Sequence, residues 1–303
     1  MSQSTVLYDV PGPKARARNV VIGIVGGAAI LAGLVYVIVG LAKAHQLTAD
    51  FWMPFLQGST WVDYLLPGLL STLEAAVVAI VLSLILGTLL GVGRLSTVAP
   101  LRAVCGVWVE FFRAIPVLVG MLFSYYFALY VLHLPTNQAF FGVVVGLTLY
   151  NSSVIAELIR AGVGSLPKGQ REAGLAIGMS EGQAMASILL PQAITAMLPS
   201  LVSQLVVVLK DTALGAIIGY PDLLQSGYTG SNRVGNLIPT VIVMAAMYII
   251  INYSLTRVAA ALERRMKRRG RSAGKPADPM MGDPAEAALS AAAVNTRAGQ
   301  GAG

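Results

Sequence analysis

Apolar residues fall along this chain in long unbroken runs separated by short polar stretches. Six runs reach the roughly 20 residues that a bilayer core demands of a helix: residues 20–42, 67–93, 103–131, 138–162, 192–220 and 236–262. They are too long and too continuous for barrel strands, which alternate over about 10 residues. Lipid offers the backbone no hydrogen-bond partner, so each run is read as a helix. The first run follows Lys14, Arg16 and Arg18 and ends in Ala42-Lys43-Ala44, which mimics a cleaved leader. A leader's apolar core is only about 7–15 residues long, so a retained helix is expected over 20–42.

Composition agrees with this pattern. The chain has 303 residues, 56% hydrophobic and 12% charged, against about 25% charged in a typical soluble domain. The mean hydropathy is +0.72. Too few polar groups exist to cover a water-facing surface, and an all-α integral membrane protein follows. Cys105 is the only cysteine and cannot form an internal disulfide, so it reads as a small buried hydrophobe. With it and two histidines, no His/Cys metal site is expected.

The net charge of +7 is unevenly placed. Six spans put both termini on one side. That side collects Lys14, Arg16, Arg18, Arg94, Arg102, Arg160, Lys168, Arg171, Arg257, Arg264 and the run Arg265, Lys267, Arg268, Arg269, Arg271; the other side holds only Lys43 and Arg233. Basic loops face the cytoplasm. Both termini, the 94–102 turn and the 163–191 loop are therefore expected inside a multi-pass cell-membrane protein. Residues 1–19 form a cytoplasmic N-terminus and 43–66 an external segment, in which Phe51, Trp52, Phe55, Trp61 and Tyr64 suit an interfacial belt. Residues 263–303 read as a basic, disordered tail, rich in Ala, Gly and Pro beyond Gly270. Its cluster "ERRMKRRGR" fits an anchor on anionic lipid and no nucleic-acid role is expected.

The loop 163–191 is long for a connection, which could be about five residues, and it is patterned. Pro167 suits a first helical turn. Helix formers run from Lys168 to Ile177, broken only by Gly169 and Gly174, and Gly178 fits a left-handed stop. Ser180-Glu181-Gly182-Gln183 reads as a capping box that starts a second helix, and Leu190-Pro191 is expected to end it and open the next span. Ala173, Gly174, Ala176, Gly178 and Ala184 permit close approach by another surface. Docking on a partner and resting on lipid are both compatible with this pattern.

The stretch "EAGLAIGMSEGQAMASILLPQAI" resembles the EAA loop of permease subunits of ATP-binding-cassette importers: Glu172-Ala173-Gly174 opens it, Gly178 follows, and Ile188, Leu190 and Pro191 close it. Gly174 departs from the family's usual Ala. The stretches "VEFFRAIPVLV" (109–119), "LYNSSVIAELIRAGVGSLPKGQ" (149–170) and "LVVVLKDTALGAIIGYPDLL" (205–224) are similar to the polar-amino-acid branch of that family, so the resemblance covers about residues 65–262. "VLYDVPGPKARARN" and one extra helix look like the glutamate-uptake permeases of actinobacteria. The resemblance implies a five-helix type I importer permease core over 67–262 with one extra N-terminal helix. It implies that Arg171, Glu172, Ala173, Gly174, Gly178, Ser180, Ile188, Leu190 and Pro191 couple to a cytoplasmic ATPase present in two copies. It also implies a second homologous permease subunit and an external amino-acid-binding lipoprotein or soluble binding protein. Glutamate is the first candidate cargo. No G-x-x-x-x-G-K-[ST] phosphate loop is present, so ATP would be used by the partner, with no cofactor bound here and no catalysis by this chain.

Ionisable groups inside spans are costly and point to function. They are Glu74, Glu110, Arg113, Glu157, Lys210 and Asp211. Glu110 and Arg113, like Glu157 and Arg160, are spaced i, i+3 and can pair on one helix face. Lys210 and Asp211 lie deep in the fifth span and point about 100° apart. A path for an amino acid needs donors and acceptors at one level; Asn151, Ser152, Glu157, Gln204, Lys210 and Asp211 are the candidates, with interhelical hydrogen bonding as the alternative for each. Gly87-x-x-x-Gly91, Gly142-x-x-x-Gly146 and Gly215-x-x-x-Gly219 permit close helix crossing, and one could line a dimer contact.

Gly178-Met179-Ser180-Glu181-Gly182 matches the nucleophile elbow, but that motif needs a preceding strand and a histidine base. His45 and His133 are both expected on the far side, so catalysis is excluded. The alternative to an ATP-driven importer is an ion-coupled secondary transporter, which would carry internal repeats. A structural scaffold would have no need of Lys210 and Asp211.

Overall fold

The computed structural model describes residues 12–273, which form helices and turns. Residues 1–11 and 274–303, with most of the tail expected to be disordered, lie outside the described residues. Helix α1 (Pro13–Lys43) starts earlier than the apolar run, with Pro in its first turn, and buries none of its residues. Its large apolar residues, such as Ile24, Ile30 and Leu34, are exposed, as suits a helix that crosses lipid. Short turns Ala49–Trp52, Met53–Leu56, Gly58–Thr60 and a wide turn Trp61–Leu65 lead into α2 (Leu66–Arg94). The aromatic residues here do more than mark an interface. Trp61 Nε1 donates to Phe55 O at 2.8 Å, and both rings pack on Leu65, Leu223 and Met244.

The third span is broken. Helices α3 (Ala99–Ala114) and α4 (Val117–Tyr130) meet at 103° across Ile115-Pro116. Pro116 supplies no N–H and disfavours helix in the residue before it, and Ile115 is extended, with ψ 128°. Helix α5 (Gln138–Gly164) is the axis of the bundle, packing on α2, α3, α4 and α7 (Leu190–Asp211). Its contacts rest on missing side chains. A Cβ on Gly87 would lie 2.8 Å from Ser152 O, and one on Gly146 2.7 Å from Met121 Cα. The Gly87 and Gly146 motifs are thus spent inside the chain, as is Gly215, which meets Val143 of α5; none of these three lines a dimer contact. Ala75, Ala79, Met121, Val143, Leu147 and Val208 form the main core, and Cys105 is buried as expected.

After α6 (Lys168–Ala176) the chain turns and stays helical from Glu181 to Ile218. Leu190-Pro191 does not end the helix. Pro191 sits in the first turn of α7, directly after a wide turn at Met185–Leu189 that makes room for its ring. A tight 3-10 segment, Thr212–Ile218, closes the fifth span, with Gly219 left-handed at φ 74°.

The apolar pattern did not predict α8 (Leu223–Val234). Asp222 Oδ1 accepts from Gln225 N at 2.8 Å to start it, and Gly235 at φ 74° stops it. The last helix, α9 (Leu237–Ala273), runs past residue 263 without a break. Among the described residues, five helices are long and apolar enough to cross a membrane, and the bent α3–α4 pair, taken as one span, makes a sixth.

Candidate functional site

Two features stand out: a folded helix pair at one end of the bundle and a crevice at the Pro116 bend. The helix pair builds itself locally. Pro167 precedes α6 and accepts from Gln170 N. Gly178, at φ 88°, reverses the chain, while Met179 N donates to Gly174 O at 3.1 Å. A left-handed turn of this kind is close to free for glycine and costs other residues about 1–2 kcal/mol. Ser180 Oγ accepts from Gln183 N at 3.3 Å, and Gln183 Oε1 accepts from Ser180 N at 2.8 Å, completing the expected capping box. Ser180 is therefore a cap, preceded by a helix and a turn, with no strand among the described residues.

Arg171 then clamps the pair across the turn. Its Nε lies 2.9 Å from Glu181 Oε2 and its Nη2 2.5 Å from Glu181 Oε1, a two-pronged ion pair. Gly174 is buried and faces inward; a Cβ there would lie 3.0 Å from Ile188 Cδ1, so the tip of Ile188 would have to yield slightly to admit an alanine. Glu172, Ala173, Gly178 and Ser180 are exposed, Ile188 and Leu190 half-buried, and Pro191 exposed at the start of α7. The sequence reading passed over Ile177, which is 79% exposed at the tip beside Leu175. Its signal was an isolated large apolar residue next to a glycine stop.

The crevice of about 330 Å³ is lined by Arg113, the 114–117 bend, Tyr150, Gln204 and Asp211. A neighbouring hollow of about 550 Å³ adds Glu110 and Glu157 and shares Arg113 and Tyr150. Of the six residues suggested for a path, Gln204, Asp211 and Glu157 line this region. Asn151 lies fully buried behind Gln204, bonded to it. Ser152 is buried against α2 at Gly87 and bonds Leu149 O. Lys210 is exposed and is not among the lining residues. Arg113 and Tyr150 are the additions; spacing alone assigned Arg113 an ion-pairing role.

The i, i+3 pairs exist, and a third helix joins them, outdoing Arg113 at Glu110 while Arg160 keeps the shortest contact to Glu157. Arg94, at the end of α2, places Nη1 2.7 Å from Glu157 Oε2 and Nη2 3.0 Å from Glu110 Oε1. Arg160 also grips Glu157, whereas Arg113 stands 3.7 Å from both carboxylates. Three arginines face two carboxylates, and Arg113 is the loosely held one, turned to the crevice.

At the opposite end of the bundle, Asp222 is fully buried between α2, α8 and α9. Tyr248 OH donates to its Oδ2 at 3.3 Å, and Leu223 N donates to Thr72 Oγ1 at 2.9 Å. Burial pushes the Asp222 carboxyl up to about 6, against the opposing effect of its hydrogen bonds to Gln225 and Tyr248.

Residues 80–268 match the family described as binding-protein-dependent transport system inner membrane component. The chain is similar to the glutamate transport system permease protein GluD of Corynebacterium glutamicum, 49% identical over 228 residues, covering 75% of this chain and 84% of that one. It is also similar to the glutamate/aspartate import permease protein GltK of Escherichia coli O6:H1, at 35% identity over 67% of this chain and 94% of the other. Among solved structures, an amino acid ABC transporter crystallised with histidines matches with a TM-score of 0.63 and 28% identity, over 72% of this chain and all of that one. The MetNI methionine ABC transporter, at 22% identity and a TM-score of 0.59, shares the fold.

Proposed function

The chain belongs to the family of binding-protein-dependent transport system inner membrane components, and from that premise we propose how this permease subunit of an amino-acid importer works and that its cargo is L-glutamate. Two cytoplasmic ATPases grip the helix pair 168–190. A second, homologous permease subunit completes the path, and an external binding protein delivers the amino acid. Both termini face the cytoplasm, a reading supported by the concentration of basic residues on that side. ATP is bound and hydrolysed by the ATPase chains.

One observation carries the coupling role. The pair α6 and Glu181–Ala184 is capped at Ser180, reversed at Gly178 and clamped by Arg171–Glu181, and it continues helically into α7 toward Gln204. A loop that merely connects two spans needs none of these devices. Closure of the ATPases on ATP would move this stiff handle and, with it, the crevice walls. There the loosely held Arg113, with Gln204 and Asp211, offers donors and an acceptor suited to an amino acid's carboxylate and ammonium. Support for glutamate comes from the relatives whose names specify it. The ion-coupled secondary transporter has no support in these comparisons.

Uptake of labelled glutamate by cells lacking this chain, restored by its return and competed by unlabelled glutamate, tests the cargo; competition by arginine and not by glutamate would overturn it. Co-purification of the ATPase tests the handle. Glu172→Ala should leave membrane insertion intact and lose the ATPase, and undiminished co-purification counts against docking there.

A further inference from the structure

A cleft of about 560 Å³ opens beside the helix pair, between the α2–α3 turn and the start of the fifth span. Its lining is of two kinds. Leu89, Val163 and Leu189 are among its apolar residues, and Leu89 continues the exposed apolar stripe of Val81 and Ile85 along α2. Ser96, Thr97 and Arg102 form the rim, with the Arg171–Glu181 pair facing them. Apolar wall and polar rim meet where α2 leaves the bilayer, the level at which lipid headgroups lie.

The charges of the rim decide what fits. Arg171 and Glu181 cancel each other through their two-pronged contact. Arg102 donates from Nη1 to Ser96 O at 3.2 Å and has no carboxylate partner among the described residues. The cleft therefore carries one uncompensated cation above a greasy track that runs into the membrane. Basic pockets of this kind between spans suit anionic headgroups.

We propose that this cleft holds an anionic phospholipid, its phosphate on Arg102 and the Ser96–Thr97 hydroxyls and one acyl chain along Leu89, Ile85 and Val81. The bound lipid ties the α2–α3 turn to the clamped helix pair. Apolar continuity with the membrane face favours a lipid over a soluble anion, which would have no use for the greasy wall.

The test uses the assembled transporter, exchanged into nanodiscs of phosphatidylglycerol and phosphatidylcholine in equal parts. Native mass spectrometry then counts the lipids retained. Phosphatidylglycerol should be held over phosphatidylcholine by about fivefold at this site, the preference that one arginine contributes at a membrane surface. Arg102→Gln should lose one retained phosphatidylglycerol per copy of this chain, and Arg102→Lys should regain it. Val163→Phe, which fills the cleft and leaves the charge, should lose the same lipid. Equal counts for wild type and Arg102→Gln overturn the proposal, and displacement by excess inorganic phosphate reassigns the cleft to a soluble anion. The readout is a mass and needs no transport, so it stands or falls apart from the cargo and the ATPase.

Discussion

Gln204 Nε2 lies 2.6 Å from Asn151 Oδ1 and fastens α7 to α5 at the back of the crevice. Asn151 is fully buried and gives its own Nδ2 to Leu147 O at 2.8 Å, so Gln204 is the donor to its amide oxygen. Gln204→Leu should orphan that oxygen and cost about 1–2 kcal/mol, the upper range for polar contacts between membrane helices. Asn151→Leu combined with Gln204→Leu should recover part of the loss. A double-mutant cycle of unfolding in mixed micelles measures it; simple additivity would mean that the bond contributes nothing.

The carboxylates of the charge cluster should not be equivalent. Glu157 meets Arg94, Arg113 and Arg160, and its side chain is 25% exposed; Glu110 is 62% exposed. Glu157→Gln should cost about 2 kcal/mol, because it leaves three guanidinium groups with only the exposed Glu110 to balance them. Glu110→Gln should cost less than half of that. Thermal unfolding of the two variants side by side checks the order.

The Arg171–Glu181 clamp is exposed, and its removal should leave the unfolding of the spans unchanged. Its effect should be on the partner. Arg171→Glu and Glu181→Arg singly should weaken ATPase co-purification, and the double exchange should restore it. Failure of the exchange to restore binding would show that each side chain touches the ATPase directly.

Asp222 gives a pH dependence of definite sign. Its carboxyl is raised to about 6 in the folded chain from an ordinary value of 3.8, so the folded state holds the proton more tightly than the unfolded one. This contribution, about 3 kcal/mol from a shift of that size, is fully present below the ordinary value and is lost as pH rises through about 6. Thermal unfolding at pH 5 and pH 7.5 should therefore favour the acid side. Asp222→Asn, which keeps an oxygen for Gln225 N, should flatten the difference.

How much of this was readable beforehand follows the range of the forces. The spans were legible because lipid imposes length and apolarity on any helix that crosses it. Gly178 and the Ser180–Gln183 box were legible because a turn and a cap are settled within four residues. Pro191 misled, since a proline suits the first turn of a helix as well as the end of one; the wide turn at Met185–Leu189 decides which, and no residue type marks it. Helix α8 escaped because it is polar, although Asp222 and Gly235 bracket it. Spacing found Glu110–Arg113, but the tighter partner, Arg94, comes from another helix and only the fold brings it near. The same limit hid Arg113 as a crevice residue and left Ser152 on the wrong face.

The break at Ile115-Pro116 carries a last consequence. The closing carbonyls of α3 leave the regular helical ladder, and the opening N–H groups of α4 are answered only in part, by Pro116 O, which accepts from Val119 N and Gly120 N. They lie beside the Arg113–Gln204–Asp211 crevice, whose polar groups offer the partners that hydrocarbon cannot. Polarity at this bend is written into the backbone as well as the side chains, and a substitution that replaces Pro116 would invite the span to straighten and lose it.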